Sequence, residues 1–300
     1  PAARPPARRE RRDFLKLAGA GGSLALLGLG GYGLVRQGRP PRVVRQNLVV
    51  ADLPAGLQGF KIGQISDIHL GLWSNQAELA QSLEVLASLE PDLVALTGDL
   101  VDRNAEFARL YHEPLKILQK TPHGVWGVLG NHDHYTGRPE RVAELLDGHG
   151  LNMLMDRRAN LPGLPLALVG LNDQGAHLNW VGRALSAQRR DDYVLNFETV
   201  TGPTARPGDF IILLNHRPEG LAQAVDQGVR LYLAGHTHGG QYQLPYFDQA
   251  NVAAFFYKYT CGLYQEGPAW INVSQGVASV AIPFRLWAWP EVSLITLLKG

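Results

Sequence analysis

Residues 93–99 read Leu93-Val94-Ala95-Leu96-Thr97-Gly98-Asp99, a short apolar run that stops at a glycine and a carboxylate. A run of this length, set off by Pro91, has the composition of a strand buried on both faces. The same shape recurs along the chain. Residues 60–66 lead into Asp67-Ile68-His69, 125–129 into Gly130-Asn131-His132-Asp133, 210–214 into Asn215-His216, and 231–234 into Gly235-His236-Thr237-His238. Each strand-like run ends in residue types that bind metal ions.

The stretches between these runs read as helices. Leu79, Leu83, Leu86 and Leu89 recur at helical spacing within 75–89, and 139–146 and 218–225 follow the same pattern. Residues 166–171 give a further strand, and the last third, with 270–273 and 292–298, is richer in strands. Alternation of this kind predicts an α/β fold with helices packed on sheet faces, where ligands gather beyond the carboxyl ends of the strands. The five polar segments stand at those ends. No internal repeat is present, and residues 46–300 are taken as one domain.

A formal net charge of +1 offers no overall attraction for nucleic acid, and none is expected as a partner. Cys261, the single cysteine, rules out an internal disulfide and a Cys-rich metal motif. Any metal must be held by His, Asp and Asn. The positive excess belongs to the first 45 residues. There Arg11-Arg12-Asp13-Phe14-Leu15-Lys16, followed by the uncharged run 17–35, resembles a twin-arginine export signal. That route carries folded proteins, which suits an enzyme loaded with metal before export. The run is just long enough to span a bilayer but is rich in glycine, and no Ala-x-Ala cleavage site is evident after it. Cleavage and retention as a membrane anchor both stay open, with the anchor favoured. Residues 36–45, with Pro40-Pro41, read as an extended linker, so 1–45 form signal or anchor plus linker. The expected partners include the twin-arginine translocation machinery and the membrane, and the expected location is the outer face of the cytoplasmic membrane, the periplasm or the cell envelope.

Two divalent ions about 3.5–4 Å apart can clamp both the attacking and the leaving oxygen of a displacement at phosphorus. Such a site needs a shared carboxylate, and Asp99 is the best candidate. Asp67 and His69 alternate on what reads as extended chain, so both point the same way, and His236 and His238 repeat that geometry. Gly235 and Gly239-Gly240 allow the turn to pack tightly. Asn131 offers an amide oxygen and His216 another imidazole. This mixed N/O set, without thiolate, suits Mn, Fe, Zn or Co better than Ca or Mg.

Asp-x-His, Gly-Asp-x-x-Asp (98–102), Gly-Asn-His-Asp and Gly-His-Thr-His in this order resemble the calcineurin-like metallophosphoesterases, over roughly residues 58–300. Residues 235–241, with Asn272-Val273-Ser274 and Pro290-Glu291, resemble a bacterial, often twin-arginine-exported branch of that family. The resemblance implies a layered β-sandwich flanked by helices, with a two-metal site at the carboxyl ends of the strands. It implies that Asp67, His69, Asp99 and His238 hold one ion, and that Asp99, Asn131, His216 and His236 hold the other. His132 would face the substrate and protonate the leaving oxygen. Gln275 departs from the pattern, standing where an Arg is expected in this branch. The implied activity is hydrolysis of a phosphoester by hydroxide shared between the ions, by a phosphodiesterase or pyrophosphatase acting at the cell envelope, with lipid-linked esters the favoured substrates. The rivals are a phosphomonoesterase or nucleotidase of the same fold and a catalytically idle metal-binding module.

Other residues carry plainer readings. His112, His123, His134, His149 and His177 are expected to be structural or surface residues, and Lys258 and Arg217 solvated. Asp102 and Asp133 are expected either to cap a turn or to hydrogen-bond a ligand histidine. The segment 246–259, with Phe247, Phe255, Phe256, Tyr257 and Tyr259, either packs as a cap over the sheet or forms an apolar lip for membrane or an acyl chain. Trp287 and Trp289 share that ambiguity.

Overall fold

A computed structural model describes residues 40–72, 74–173, 194–244, 247–280 and 284–300. The N-terminal basic and uncharged segments, His177 and Tyr246 lie outside the described residues. In chain order the strands are β1 (Arg42–Val50), β2 (Lys61–Ile65), β3 (Leu93–Thr97), β4 (Val125–Val128), β5 (Leu151–Met153), β6 (Arg157–Asn160), β7 (Leu166–Gly170), β8 (Phe210–Leu214), β9 (Val229–Ala234), β10 (Gln243–Leu244), β11 (Phe247–Asn251), β12 (Gly262–Glu266), β13 (Ala269–Val273) and β14 (Glu291–Lys299). The longer helices are α1 (Gln76–Ala87), α2 (Pro139–Asp147) and α3 (Leu221–Asp226).

Two six-stranded sheets form, ordered β1-β14-β2-β3-β4-β5 and β12-β13-β9-β8-β7-β6. Their central strands β2, β3 and β4, and β7, β8 and β9, run parallel within each sheet. The apolar runs are continuous because both faces are covered. In β3, Leu93 and Ala95 enter the core between the sheets, while Val94 and Leu96 pack outward with Leu79, Leu83 and Leu86 of α1. In β9, Leu231 and Leu233 face the same inner core, and Tyr232 and Ala234 pack with Leu221 and Ala224 of α3. The result is the expected α/β sandwich with helices on both outer faces.

One polar bridge crosses the inner core just below the strand ends. The Gln64 amide of β2 donates to Thr97 Oγ1 (3.0 Å) and to the Ala234 carbonyl of the other sheet (2.9 Å), and accepts from Asn272 Nδ2 (2.8 Å). A buried amide satisfied in this way fixes how the two sheets sit against each other, since any slip leaves polar atoms stranded.

The structure corrects two expectations. Arg42–Arg45 belong to β1 rather than to a linker, because this strand pairs with β14 from Arg42↔Glu291 onward. The helix expected over 218–225 starts only at Leu221, after Gly220 in a left-handed conformation (φ 80°), so Pro218 and Glu219 form the turn before it. By contrast α1 lies within the span 75–89 expected for it, with Asn75 as its N-cap. Asn75 Oδ1 accepts from the N–H groups of Ala77 and Glu78, and Glu78 Oε2 accepts from the Asn75 N–H. Gln64→Leu is expected to lower the unfolding free energy by about 1–3 kcal/mol in a denaturant titration. An unchanged midpoint would show that the bridge carries no stability.

Candidate metal centre

All five polar segments sit beyond the carboxyl ends of β2, β3, β4, β8 and β9, and the two sheets bring them to one edge. The local backbone is not the extended chain expected. Asp67 (φ 52°), His69 (φ 47°), Asp99 (φ 51°), His236 (φ 72°) and His238 (φ 51°) are all left-handed. Each such residue costs roughly 1–2 kcal/mol, because Cβ crowds the following carbonyl. Hydrogen bonds between the loops after β2 and β3 hold the strain: Asp67 N–H to Gly98 O (3.1 Å), and Ile68 and His69 N–H to Asp99 O (both 2.9 Å). Left-handed turns, rather than strand alternation, aim these side chains at one another. Gly235 is needed for close approach, since a Cβ there would collide with Ser66 Oγ and the Asp67 carboxylate.

Among the described residues donor atoms gather in two groups that share Asp99, and a third brings His69 together with Asp102 and His132. Asp67, His69, Asp99 and His238 offer atoms all within 4.8 Å of one another, and so do Asp99, His216 and His236. Asp99 is common to both. In the first group His69 Nε2 lies 3.2 Å from His238 Nε2 and 3.6 Å from Asp99 Oδ2, and His238 Nε2 lies 3.3 Å from Asp67 Oδ1. In the second, His216 Nε2 is 3.2 Å from Asp99 Oδ2 and 3.2 Å from His236 Nδ1. Asn131 Oδ1, buried after β4, has no hydrogen-bond partner. A buried amide oxygen without a donor fits a cation, as does a pair of imidazole nitrogens facing each other.

Protonation favours the same use. Burial pushes His69 and His238 down to about 3, and burial with the nearby Arg217 cation pushes His236 well below its usual value. These imidazoles are neutral at pH 7, with a lone pair available. Burial also opposes charge on His216, but the Asp99 carboxylate outweighs it and raises this ring to about 10. His216 Nδ1 donates to the Thr97 carbonyl (2.8 Å), which leaves Nε2 directed at Asp99. Asp99 resists burial and stays ionised because His216 and His132 face it.

His132 lies beside this cluster with its side chain 18% exposed, and its Nδ1 donates to Asp102 Oδ1 (2.9 Å). Its backbone N–H donates to Asp99 Oδ1 (2.8 Å). Burial opposes protonation of the ring, yet the Asp99 and Asp102 carboxylates raise its pKa. The two readings of Asp102 and Asp133 therefore separate. Asp102 orients His132, whereas Asp133 accepts from the N–H groups of Gly130 (2.8 Å), Leu100 (3.0 Å) and Val101 (2.8 Å) and holds the loop.

Several residues differ from expectation. Arg217 is buried, not solvated: its Nε donates to Asp173 (2.9 Å) and its Nη1 lies 2.9 Å from His236 Nε2. Tyr257 Oη meets the same nitrogen at 2.8 Å. Gln275 accepts from Gln243 Nε2 (3.1 Å), while Arg285, distant in sequence, places Nη2 3.1 Å from His238 Nδ1. Spacing in the chain gives no hint of Arg285 or Tyr257, because each reaches the centre only through tertiary packing. Lys258 is exposed and pairs with Glu266, as expected of a solvated lysine. His112 and His149 contact each other at the surface, His123 packs on Phe60, and His134 meets Asn172, so none joins the cluster. Trp287 and Trp289 are half-buried.

Because the folded-state pKa of His132 lies above its unfolded value near 6.5, its protonated ring stabilises the fold at lower pH, and that contribution is lost as pH rises through the folded value. In the metal-free protein, Asp102→Asn should lower the His132 pKa in an NMR titration of the ring. An unmoved titration would show that Asp102 does not hold it.

The family model for calcineurin-like phosphoesterases matches residues 60–240. A Bacillus subtilis protein, "Uncharacterized metallophosphoesterase YkuE", is 31% identical over 96% of this chain and 97% of its own length. A zebrafish (Danio rerio) "Transmembrane protein with metallophosphoesterase domain" is 33% identical over 90% of this chain, which spans 60% of that protein. A Helicobacter pylori metallophosphoesterase is 29% identical over 97% of this chain and 72% of its own length. A family match over more than half of the sequence, joined to end-to-end similarity with the Bacillus protein and to a donor cluster at the sheet edge, makes this chain a member of the calcineurin-like phosphoesterases and a metal-dependent phosphoester hydrolase.

Proposed function

We propose that the protein is a two-metal phosphodiesterase or pyrophosphatase of the cell envelope, belonging to a twin-arginine-exported bacterial branch of its family. The observation that carries this reading is the pair of donor groups sharing Asp99, with His132 at their margin. Asp67, His69, Asp99 and His238 would hold one ion, and Asp99, Asn131, His216 and His236 the other. The N/O donor set suits Mn, Fe, Zn or Co. When bound, two such ions would supply charge to neutralise the phosphoryl oxygens and would lower the pKa of a bound water.

The chain's own residues do the rest. Asp99 orients both halves of the donor set. His132, held by Asp102 and with its remaining ring nitrogen not engaged in that bond, delivers a proton to the leaving oxygen. Arg217 and Tyr257 fix the His236 ring from behind, so that Nδ1 faces the cluster. Arg11-Arg12 with the uncharged run 17–35 supports export and membrane association, and residues up to the start of β1 serve as signal or anchor plus linker to the catalytic domain. Lipid-linked phosphoesters are the favoured substrates.

His132→Ala should keep its metal and lose about 10²–10⁴-fold in kcat, whereas Asp99→Asn should lose metal, read by elemental analysis. Asp102→Asn should move the alkaline limb of the kcat profile to lower pH, since it removes a charge that keeps His132 protonated. Full-length protein reloaded with Mn, Zn or Fe should prefer a generic diester to a generic monoester. A preference for the monoester would select the phosphomonoesterase or nucleotidase reading, and two bound ions with no turnover of either would favour the idle module.

A further inference from the structure

The chain joins the folded unit beside the metal centre. β1 starts at Arg42, whose Nη2 pairs with Glu291 Oε2 (2.9 Å); Glu291 N–H donates to Gly276 O (3.1 Å), and Gly276 lies against the Asp67 side chain. β1 and β14 run parallel, and β14 runs antiparallel to β2, so their first residues stand at the edge where β2 ends. Only residues 36–41 separate Arg42 from the uncharged run 17–35. Such a connector spans at most about 20 Å.

That same edge gathers exposed apolar side chains. Among the described residues nine large hydrophobics are exposed, and five of them fall in one segment: Leu244, Phe247, Val252, Phe255 and Phe256. Leu72 and Tyr135 follow site segments closely in sequence. Phe247 and Phe255 are 67% and 75% exposed, so they stand out from the surface. The segment is held against the centre around Val252 and at Tyr257. A Cβ on Gly240 would come within 2.8 Å of the Val252 and Ala253 nitrogens, and Tyr257 meets His236. Asn251 secures its middle by accepting from Ala254 N–H (3.1 Å) and donating to Thr260 Oγ1 (3.0 Å). Behind it lies a cavity of about 270 Å³ lined by Leu221, Phe256, Tyr257 and Tyr259 among others. A held, outward-facing cluster of this kind marks an interaction surface. In sequence a bilayer-length uncharged run stands only six residues before Arg42, which favours a membrane as the partner.

We propose that Leu244, Phe247, Val252, Phe255 and Phe256 form a lip that inserts into the surface of a lipid bilayer, so that the metal centre faces the membrane and takes phosphoesters embedded in it. This deepens the envelope phosphoesterase reading and rests on it for the chemistry. The amphipathic logic is that of interfacial anchoring, where aromatic and aliphatic side chains enter the boundary between head groups and acyl chains. The N-terminal run then holds the edge near the bilayer while the lip sets its orientation.

Two measurements on the full-length, metal-loaded protein in phosphatidylcholine–phosphatidylglycerol vesicles test this. A fluorophore on Phe255→Cys should be quenched by acyl-brominated lipid, whereas one on Lys120→Cys, at the opposite edge, should not. Secondly, Leu244→Ser/Phe247→Ser/Phe255→Ser should lose roughly tenfold or more on a p-nitrophenyl diester of diacylglycerol in the vesicle, given the apolar area withdrawn from the interface. It should keep its rate on soluble bis(p-nitrophenyl) phosphate. An unquenched label at 255, or a variant that cleaves both esters as the wild type does, would overturn the lip. Failure of the wild type to cleave either ester would count against the phosphoesterase reading instead, with quenching still deciding the membrane contact.

Discussion

Asp99 is the buried carboxylate on which the rest of the centre depends. It stands at the end of β3, in the middle of its sheet, and both donor groups include it. One oxygen accepts the His132 backbone N–H and the other faces His216 and His69. A charge removed from water this completely is tolerated only with compensation from every side. The imidazoles around it supply part of that compensation, and the unpartnered Asn131 oxygen fits a cation that would supply more. The segments after β2, β4 and β8 are thereby tied to the end of β3.

The backbone has been bent to make this possible. Five of the seven proposed ligand residues are left-handed, a conformation that side chains with Cβ avoid. The strain is held because neighbouring loops bond each other and because the sheets beneath do not yield. Gln64, joining Thr97, Ala234 and Asn272, locks the two sheets directly under the loops. The apolar core between β3 and β9 does the same over a wider area. Rigidity below and strain above are two sides of one arrangement, which fixes the donor atoms relative to one another.

Around the donors runs a ring of fixed polar groups. Asp102 aims His132, Thr97 O aims His216, Arg217 and Tyr257 back His236, and Arg285 lies behind His238. Such partners set ring orientation and tautomer, and through them the electronic character of the ligands. Two of them, Arg217 and Arg285, are buried cations beside a proposed cation site. Arg217 is neutralised by Asp173, and Arg285 rests on backbone carbonyls of Gln275 and Ala278.

The sequence by itself determined the α/β class, most of the central strands and the seven candidate ligands. Short continuous apolar runs such as Leu93 to Thr97, set off by Pro91 and Gly98, have the length and composition of strands covered on both sides, and metal-binding residue types follow their ends. It also picked out Asp99 as the best candidate for the shared carboxylate, since the glycine before it lets the backbone come close and the strand end fixes its direction. The fold alone decided what depends on long-range packing. Arg42–Arg45 read as linker from the sequence because they follow Pro40-Pro41, and only pairing with β14 makes them the start of a strand. The left-handed turns at Asp67 and His238 leave no mark in composition, since the strain is held by hydrogen bonds to other loops. Arg217 looks like any surface arginine until Asp173 is seen beside it. Arg285 and Tyr257 reach the histidines across 47 and 21 residues of chain, and the outward stance of Phe247 and Phe255 depends on how their segment is pinned. Local periodicity records which face of an element is apolar; which groups converge, and at what angle, is set by contacts between elements that periodicity does not encode.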